Sequence, residues 1–178
     1  IYHPETLEKD YGIKGFENLI KILKSFEDVS IFSIFSNSHT GYLKINKKLK
    51  KLGKEKKIFN FKSLNHKDYL SLLKNCDLIV GNSSSGVIEA PSLGVPTINI
   101  GDRQHGRLRS NSVIDCDYNL KNIKKSIFKA INLNKKIKIK KIKIKNPYDF
   151  GNSANKIVKI LNSKKTFQNL KIKKFYDI

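Results

Sequence analysis

The sequence predicts an α/β fold in which a parallel sheet is covered by helices on both faces. Segments with apolar residues at helical spacing alternate with short apolar runs, and polar or glycine-rich loops follow those runs. Such alternation is typical of parallel sheets, because a crossover between parallel strands usually contains a helix. With 178 residues, the chain is long enough for one domain with a substantial core.

The first part of the chain alternates helix and strand regularly. The predicted elements are a helix over 15–27, a strand over 29–36, a helix over about 42–52, a strand over 57–61 and a helix over 66–75. The loop 37–41, with the sequence NSHTG, follows the first of these strands.

The second part contains the clearest strand–turn–helix pattern of the chain. The predicted elements are a strand over 77–80, a polar turn over 81–86, a helix over about 86–93, a strand over 97–100 and a helix over 119–132. The basic segment 134–146 is interpreted as a surface connection, although its period of two also fits a strand. A final helix is predicted over 152–163, capped by Asn152 or Ser153, and 164–178 is predicted to be a basic tail.

The formal net charge of +21 is carried almost entirely by lysine. Nucleic-acid sites favour arginine and interleaved aromatic residues, so we interpret the lysines as a solvated surface and expect no nucleic-acid partner. The three arginines, Arg103, Arg107 and Arg109, lie within seven residues of one another. This cluster indicates a need for guanidinium forks, which match phosphate and carboxylate oxygens; chance clustering or a structural ion pair is the alternative.

The two cysteines, Cys76 and Cys116, indicate neither a disulfide framework nor a metal site. No segment resembles a signal peptide or a membrane span, so we expect a soluble cytoplasmic protein without a membrane partner. The chain contains no methionine and opens on Ile1-Tyr2-His3, which reads like the end of a buried strand. We therefore expect a fragment whose N-terminal portion is missing.

The turn 81–86 is a candidate anion site, because ligands bind beyond the carboxyl ends of parallel strands. Ser83, Ser84 and Ser85 offer hydroxyl donors, the flanking glycines allow close backbone approach, and the helix start offers free N–H groups. An ordinary N-cap turn explains the same pattern equally well. Glu89 could accept both hydroxyls of a ribose, or it could simply be a favourable charge near a helix start.

Three further loops are predicted to reach the same edge of the sheet. The loop 101–107 carries Arg103 and Arg107, which suit an anionic ligand, although a basic surface loop is the alternative. His3 follows the first strand and could donate to a phosphate or act as an acid or base, although a lone histidine is more often structural. Asn37 lies in the loop 37–41. Four polar loops that converge on one edge indicate a ligand site more strongly than any one of them.

The block from 81 to 107, GNSSSGVIEAPSLGVPTINIGDRQ followed by HGR, resembles the hydrolysing UDP-N-acetylglucosamine 2-epimerases of the sialic- and legionaminic-acid branch. The initial His-Pro-Glu-Thr and the stretch 148–154 fit the same family, so the resemblance covers the chain apart from 42–58 and 134–146. It implies that 1–163 is the C-terminal, UDP-binding, Rossmann-like domain of a glycosyltransferase-B-type fold.

The resemblance also implies a reaction and a set of site residues. UDP is eliminated from UDP-N-acetylglucosamine or a related UDP-2-acetamido sugar, and water then adds to release a free N-acetylmannosamine-type sugar, with no nicotinamide or metal. The implied contacts are to the diphosphate from Ser83 and Ser84, to the ribose from Glu89, to the nucleotide from Arg103, Arg107 and Asn37, to the uracil from the main chain of Leu64, and to the phosphates and reaction centre from His3. His3 is therefore the candidate catalytic residue.

The family's principal catalytic carboxylates lie in the first domain, which this chain lacks by the same resemblance. We therefore expect the isolated chain to bind UDP weakly without turnover, and the full-length enzyme to be a homo-oligomer. Two alternatives are a glycosyltransferase-B-type UDP-sugar transferase and a non-enzymatic basic nucleic-acid-binding module. The Gly-Asp-Arg-Gln-x-Gly-Arg loop favours the epimerase over the transferase.

Overall fold

A computed structural model describes residues 1–53 and 58–163, in one unit from Ile1 to Pro147 and a second that begins at Tyr148. The described helices are α1 (Ile13–Lys24), α2 (Tyr42–Leu52), α3 (His66–Lys74), α4 (Ser84–Ile88), α5 (Leu120–Lys138) and α6 (Ser153–Leu161). The described strands are β1 (Ile31–Ile34), β2 (Ile58–Phe61), β3 (Ile79–Gly81), β4 (Thr97–Ile100) and β5 (Val113–Cys116). A 3₁₀ turn, Ala90–Leu93, follows α4.

Every strand pair in the described part of the chain is parallel. β1 pairs with β2, and β4 lies between β3 and β5. The first residues of the chain also run along β3, because the nitrogen of Ile1 donates to the carbonyl of Val80 at 3.0 Å and the N–H of Asn82 donates to the carbonyl of Ile1 at 3.2 Å. His3 is thereby brought to the carboxyl end of β3.

The described strands form two sheets, one of β1 and β2 and one of β3, β4 and β5. The three-stranded sheet is covered on both faces, which confirms the predicted fold class. On one face, the fully buried Ile98 and Ile100 of β4 belong to the same apolar cluster as residues of α1, α2 and α5. On the other face, Thr97 donates to the carbonyl of Gly86 at 2.5 Å. A second cluster joins α3 to β3 and the 3₁₀ turn through Leu73, Ile79, Ala90 and Val95. Burial of each large aliphatic side chain contributes about 1.5–3 kcal/mol.

The structure corrects two predictions after β4. β5 was not predicted, because its four residues include the exposed Asp115 and lack a clear apolar run. Helix α5 continues to Lys138 and so takes up the start of the segment 134–146, which was predicted to be a surface connection. The extra turn is held by Asp77, whose Oδ1 accepts from Asn134 Nδ2 at 3.0 Å and from Lys138 Nζ at 2.8 Å.

The predicted helix over 86–93 begins earlier and is divided. The turn ends at Ser83, whose side chain caps α4, and α4 gives way to the 3₁₀ turn at Glu89. Glu89 therefore lies between the end of α4 and the start of the 3₁₀ turn. Its side chain makes no capping hydrogen bond to the 3₁₀ turn, so helix capping does not explain the carboxylate at this position.

The second unit contains α6, close to the predicted bounds of 152–163. Asn152 occupies the N-cap position with a left-handed backbone, φ 58°, but its Oδ1 accepts from Asn155 Nδ2 at 2.9 Å instead of from a backbone N–H. Residue 57, which begins a predicted strand, and the predicted tail 164–178 lie outside the described residues. None of the described helices is long and apolar enough to cross a membrane.

Candidate functional site

The turn after β3 is joined to the first residues of the chain by the side chain of Asn82. Asn82 is fully buried, its Oδ1 accepts from the N–H of His3 at 2.7 Å, and its Nδ2 donates to the carbonyl of His3 at 2.8 Å. The side-chain amide thus pairs with both main-chain groups of one residue, as a neighbouring strand would. It fixes the backbone of His3 beside the turn.

The main-chain carbonyl of Asn82 holds the arginine loop 101–107. It accepts from Arg103 Nη1 at 3.1 Å and from Gln104 Nε2 at 2.8 Å. Gln104 is 2% exposed and anchors the loop, whereas Arg103 is only partly buried. One guanidinium nitrogen of Arg103 is therefore fixed by the protein, and the fork as a whole reaches toward the site.

A buried carboxylate links the two loops. Glu5 Oε1 accepts from Asn82 Nδ2 at 3.1 Å, and Glu5 Oε2 accepts from the N–H of Asp102 at 3.2 Å. Gly101, with φ 76°, leaves the space that Glu5 and the hydroxyl of Tyr118 occupy, and a Cβ at this position would collide with both. Burial and the adjacent Glu5 raise the pKa of Tyr118, so its hydroxyl stays protonated.

The ring of His3 is neutral at pH 7. Burial lowers its pKa to about 4, and the positive charge of Arg103 acts in the same direction. The ring Nδ1 lies 3.2 Å from Ser36 Oγ. A neutral imidazole keeps one donor and one acceptor nitrogen, so this side chain can donate to an anion or accept a proton. A bound anion would raise its pKa.

The three clustered arginines differ in their contacts and exposure. Arg109 is a structural residue: its Nε donates to both carboxylate oxygens of Asp115 at 3.1 Å, and its Nη1 and Nη2 donate to the carbonyls of Arg107 and Gln104 at 2.7 and 2.9 Å. The structural alternative for the cluster therefore applies to Arg109. Arg107 is exposed, and its charge helps to lower the pKa of Arg103, after the larger effect of burial.

Only two of the three serines in the turn are open to a ligand. Ser83 and Ser84 are partly exposed, and Ser83 Oγ accepts from the N–H of Ser85 at 3.3 Å as the cap of α4. Ser85 is buried and its hydroxyl is hydrogen-bonded to the hydroxyl of Tyr69. Ser85, predicted as a third hydroxyl donor, is thus occupied by the protein.

The two glycines of the turn, Gly81 and Gly86, also have a packing role within the protein. A Cβ at Gly81, where φ is 138°, would collide with the main chain of Ile1. A Cβ at Gly86 would lie 2.6 Å from Thr97 Cγ2. These glycines let the turn pack against the neighbouring backbone and against β4.

A second group of predicted residues lies near the start of α3. Glu89 is partly buried, and its Oε1 is 3.4 Å from His66 Nε2, in the first turn of α3. Leu64 is partly buried and immediately precedes Asn65, which caps α3 by accepting from the N–H of Asp68 at 2.9 Å. The carboxylate of Glu89 is therefore positioned beside the loop that carries Leu64.

Asn37 lies in the exposed loop after β1 and directly follows Ser36, whose hydroxyl contacts the His3 ring. Its carbonyl accepts from Ser36 Oγ at 3.4 Å, while its side chain is exposed. Direct contacts thus connect His3, the turn at Ser83 and Arg103, and Asn37 adjoins them through Ser36. The group around Glu89 lies at the other end of α4.

Sequence reasoning missed five residues that organise these groups, namely Glu5, His66, Asn82, Gln104 and Tyr118. Glu5, Asn82 and Gln104 stand inside the motifs that drew attention, and a polar residue flanked by site residues is the one available signal. Their hydrogen-bond partners are up to 97 residues away in the chain, which no local pattern reveals. His66 and Tyr118 carry no such signal.

Comparisons with known proteins identify relatives of the chain. A family model described as UDP-N-acetylglucosamine 2-epimerase matches residues 1–162. The chain is 38% identical to the polysialic acid biosynthesis protein P7 of Escherichia coli, over all of this chain and 45% of that protein. It is also 38% identical to a GDP/UDP-N,N'-diacetylbacillosamine 2-epimerase (hydrolyzing) of Campylobacter jejuni, over 66% of this chain and 31% of that protein.

A solved structure shares the fold. It is the UDP-GlcNAc 2-epimerase of Methanocaldococcus jannaschii in complex with UDP-GlcNAc and UDP, with a TM-score of 0.67 and 25% identity, over 90% of this chain and 44% of that one. The chain spans less than half the length of these relatives.

Proposed function

Because the chain belongs to the UDP-N-acetylglucosamine 2-epimerase family, we propose that it supplies the nucleotide-binding half of a hydrolysing 2-epimerase. The observation that carries the proposal is the convergence of His3, Ser83 and Arg103 on the buried Asn82, at the carboxyl end of a parallel sheet. That edge is where α/β sheets bind nucleotides.

The proposed reaction separates UDP from the sugar in two steps. A base removes the proton from C2, the C1–O bond breaks, and UDP departs with the electron pair of that bond, which leaves a 2-acetamidoglucal. Water then adds across the double bond, with hydroxide to C1 and a proton to C2 from the opposite face. The products are UDP and the free 2-epimer.

This chain's part in the elimination is to stabilise the leaving group. Negative charge grows on the diphosphate as the C1–O bond breaks, and preorganised donors at that position lower the barrier. We assign this role to the guanidinium of Arg103, the hydroxyls of Ser83 and Ser84 and the neutral ring of His3, with Arg107 adding charge at the rim. A neutral histidine could also give its proton to a departing phosphate oxygen.

The remaining nucleotide contacts are assigned to the second group. The carboxylate of Glu89 accepts the two ribose hydroxyls, which are neighbouring donors with a spacing that two carboxylate oxygens can match. The main chain of Leu64 meets the uracil, and Asn37 contacts the nucleotide from the loop after β1. His66 Nε2 lies 3.4 Å from Glu89 Oε1, beside the proposed ribose contact.

The substrate proposed is UDP-N-acetylglucosamine or a related UDP-2-acetamido sugar. Support comes from one relative named a hydrolysing diacetylbacillosamine 2-epimerase and another named a polysialic acid biosynthesis protein, which also favour the sialic- or legionaminic-acid branch. We further propose that the full-length enzyme is a homo-oligomer.

The nucleotide contacts are tested by titrating the purified chain with UDP in a calorimeter at moderate salt. Glu89→Gln should weaken binding by about 1.5–3 kcal/mol, because a charge-assisted hydrogen bond is lost. Glu17→Gln is the matched control, since Glu17 pairs with Lys48 on the surface of α1 and α2, and it should leave the affinity unchanged. Binding that falls steeply with added salt and ignores Glu89→Gln would indicate a nonspecific basic surface instead.

The reaction is tested by following UDP release from UDP-N-acetylglucosamine. We expect no turnover by this chain alone, and release of UDP together with free N-acetylmannosamine-type sugar by the full-length enzyme without an acceptor. Robust UDP release by the chain alone would refute the assignment of a half-site. A glycoside formed only when an acceptor is added would refute the epimerase reaction.

A further inference from the structure

We propose that Asn82 is a positioning residue that sets the separation of His3 and Arg103 across the diphosphate site. The inference rests on the proposed function for its ligand, but its geometric basis is independent of that ligand. Asn82 is fully buried at the end of β3, and the next residue, Ser83, is a proposed diphosphate contact. A shift of its amide would therefore move two loops relative to the turn.

Three hydrogen bonds engage the oxygen and both N–H donors of the Asn82 side chain. Its oxygen accepts from the N–H of His3 at 2.7 Å, and its nitrogen donates to the carbonyl of His3 at 2.8 Å and to Glu5 Oε1 at 3.1 Å. An asparagine amide has two N–H groups, so both donors are engaged. Aspartate at this position would keep an acceptor for the N–H of His3 but lose both donors and place a second carboxylate beside Glu5.

The main chain of Asn82 also contacts the arginine loop. Its carbonyl accepts from Arg103 Nη1 and from Gln104 Nε2, at 3.1 and 2.8 Å. Glu5 closes the network, because its second oxygen accepts from the N–H of Asp102 in the arginine loop. His3 and Arg103 are thus both hydrogen-bonded to one buried residue, although they are 100 positions apart in the chain.

Such a network preorganises charge recognition. The donors that meet a diphosphate must be placed before the ligand arrives, since displacement by a fraction of an ångström weakens charge-assisted hydrogen bonds. Removal of the Asn82 side chain keeps the carbonyl that accepts from Arg103, so it should displace His3 directly and the arginine loop through the lost bond to Glu5. The expected signature is a loss of nucleotide affinity together with a change in the environment of the His3 ring.

The experiment compares Asn82→Ala with Asn134→Ala in this chain. Asn134 is the matched control, because it is also a buried asparagine with a side-chain hydrogen bond, to Asp77, but it lies in α5. UDP affinity is measured by calorimetry, and the His3 ring is titrated by NMR. We expect Asn82→Ala to raise the Kd for UDP about tenfold or more, as the loss of a well-placed hydrogen bond does, and Asn134→Ala to leave it unchanged.

The ring titration provides a readout that a merely structural role would not move. Since burial is the main cause of the lowered pKa of His3, release of its backbone should move the pKa from about 4 toward the ordinary 6.5 in Asn82→Ala but not in Asn134→Ala. An unchanged UDP affinity or an unchanged titration in a folded Asn82→Ala would overturn the proposal. Equal losses of affinity in both variants would also overturn it, because they would indicate general destabilisation.

Two further outcomes keep the test decisive. If Asn82→Ala does not fold, Asn82→Ser replaces it, because its hydroxyl adds no charge beside Glu5 but cannot pair with both main-chain groups of His3, and the same two readouts apply. If the unsubstituted chain does not bind UDP, the proposed function fails, whereas the positioning of His3 is still judged by the ring titration: a shift supports it and no shift refutes it.

Discussion

Lowering the pH should destabilise the protein through His3, and replacement by asparagine should remove that effect. The pKa of this ring is about 4 in the folded chain, below the ordinary 6.5, so between these values the unfolded chain binds a proton that the folded chain does not. Stability that is present above pH 6.5 is therefore lost as the pH falls through this window. His3→Asn keeps a group that can bond to Ser36 but cannot titrate.

The size of the effect follows from the shift. A pKa unit corresponds to about 1.4 kcal/mol, so the full shift sets an upper limit of about 3 kcal/mol. Because the ring is only partly buried, solvent screening reduces the expected loss between pH 7 and pH 4.5 to about 1–2 kcal/mol. Urea unfolding of both proteins at both pH values measures it, because the contributions of all other groups cancel in the double difference. Equal losses in the two proteins would refute the burial of a neutral His3.

Two other substitutions test the arginine loop. Arg103→Lys keeps the charge but loses the guanidinium fork that donates to Asn82. UDP binding measured by calorimetry should therefore weaken by about 1.5–3 kcal/mol. An unchanged affinity would show that the fork does not contact the nucleotide. Gly101→Ala should lower the free energy of unfolding in urea by more than Gly106→Ala. Both glycines have φ near 77°, but a Cβ at Gly101 would meet Glu5 and Tyr118, whereas nothing lies within 4 Å of a Cβ at Gly106. Equal costs would mean that backbone strain alone, about 1–3 kcal/mol, acts at both positions.

The order and type of the elements could be predicted where local signals agreed. The bounds of α2 match the prediction of 42–52, because glycines stand immediately before and after an amphipathic run. β5 could not be predicted, since its pairing with β4 and not its composition makes it a strand. The extended part of α5 contacts Asp77 through Lys138, a residue 61 positions away and hence invisible in a local window.

The candidate site shows the same division. Motif residues such as Ser83, Glu89 and Arg103 could be picked out from the sequence, and the structure places His3 and Arg103 against the turn as expected from the carboxyl ends of parallel strands. Whether they bind a nucleotide stays a prediction. The structural role of Arg109 could not be separated from a ligand role, because its partner Asp115 belongs to the strand that was missed.

The proposed binding of UDP at the carboxyl end of β3 is tested most directly by NMR mapping of the isotope-labelled chain during a UDP titration. We predict saturable shifts of the amides of Ser83, Ser84 and Arg103, with further shifts near Glu89 at the ribose end. Shifts confined to lysine-rich surface helices such as α2, or no shifts at saturating UDP, would contradict the claim.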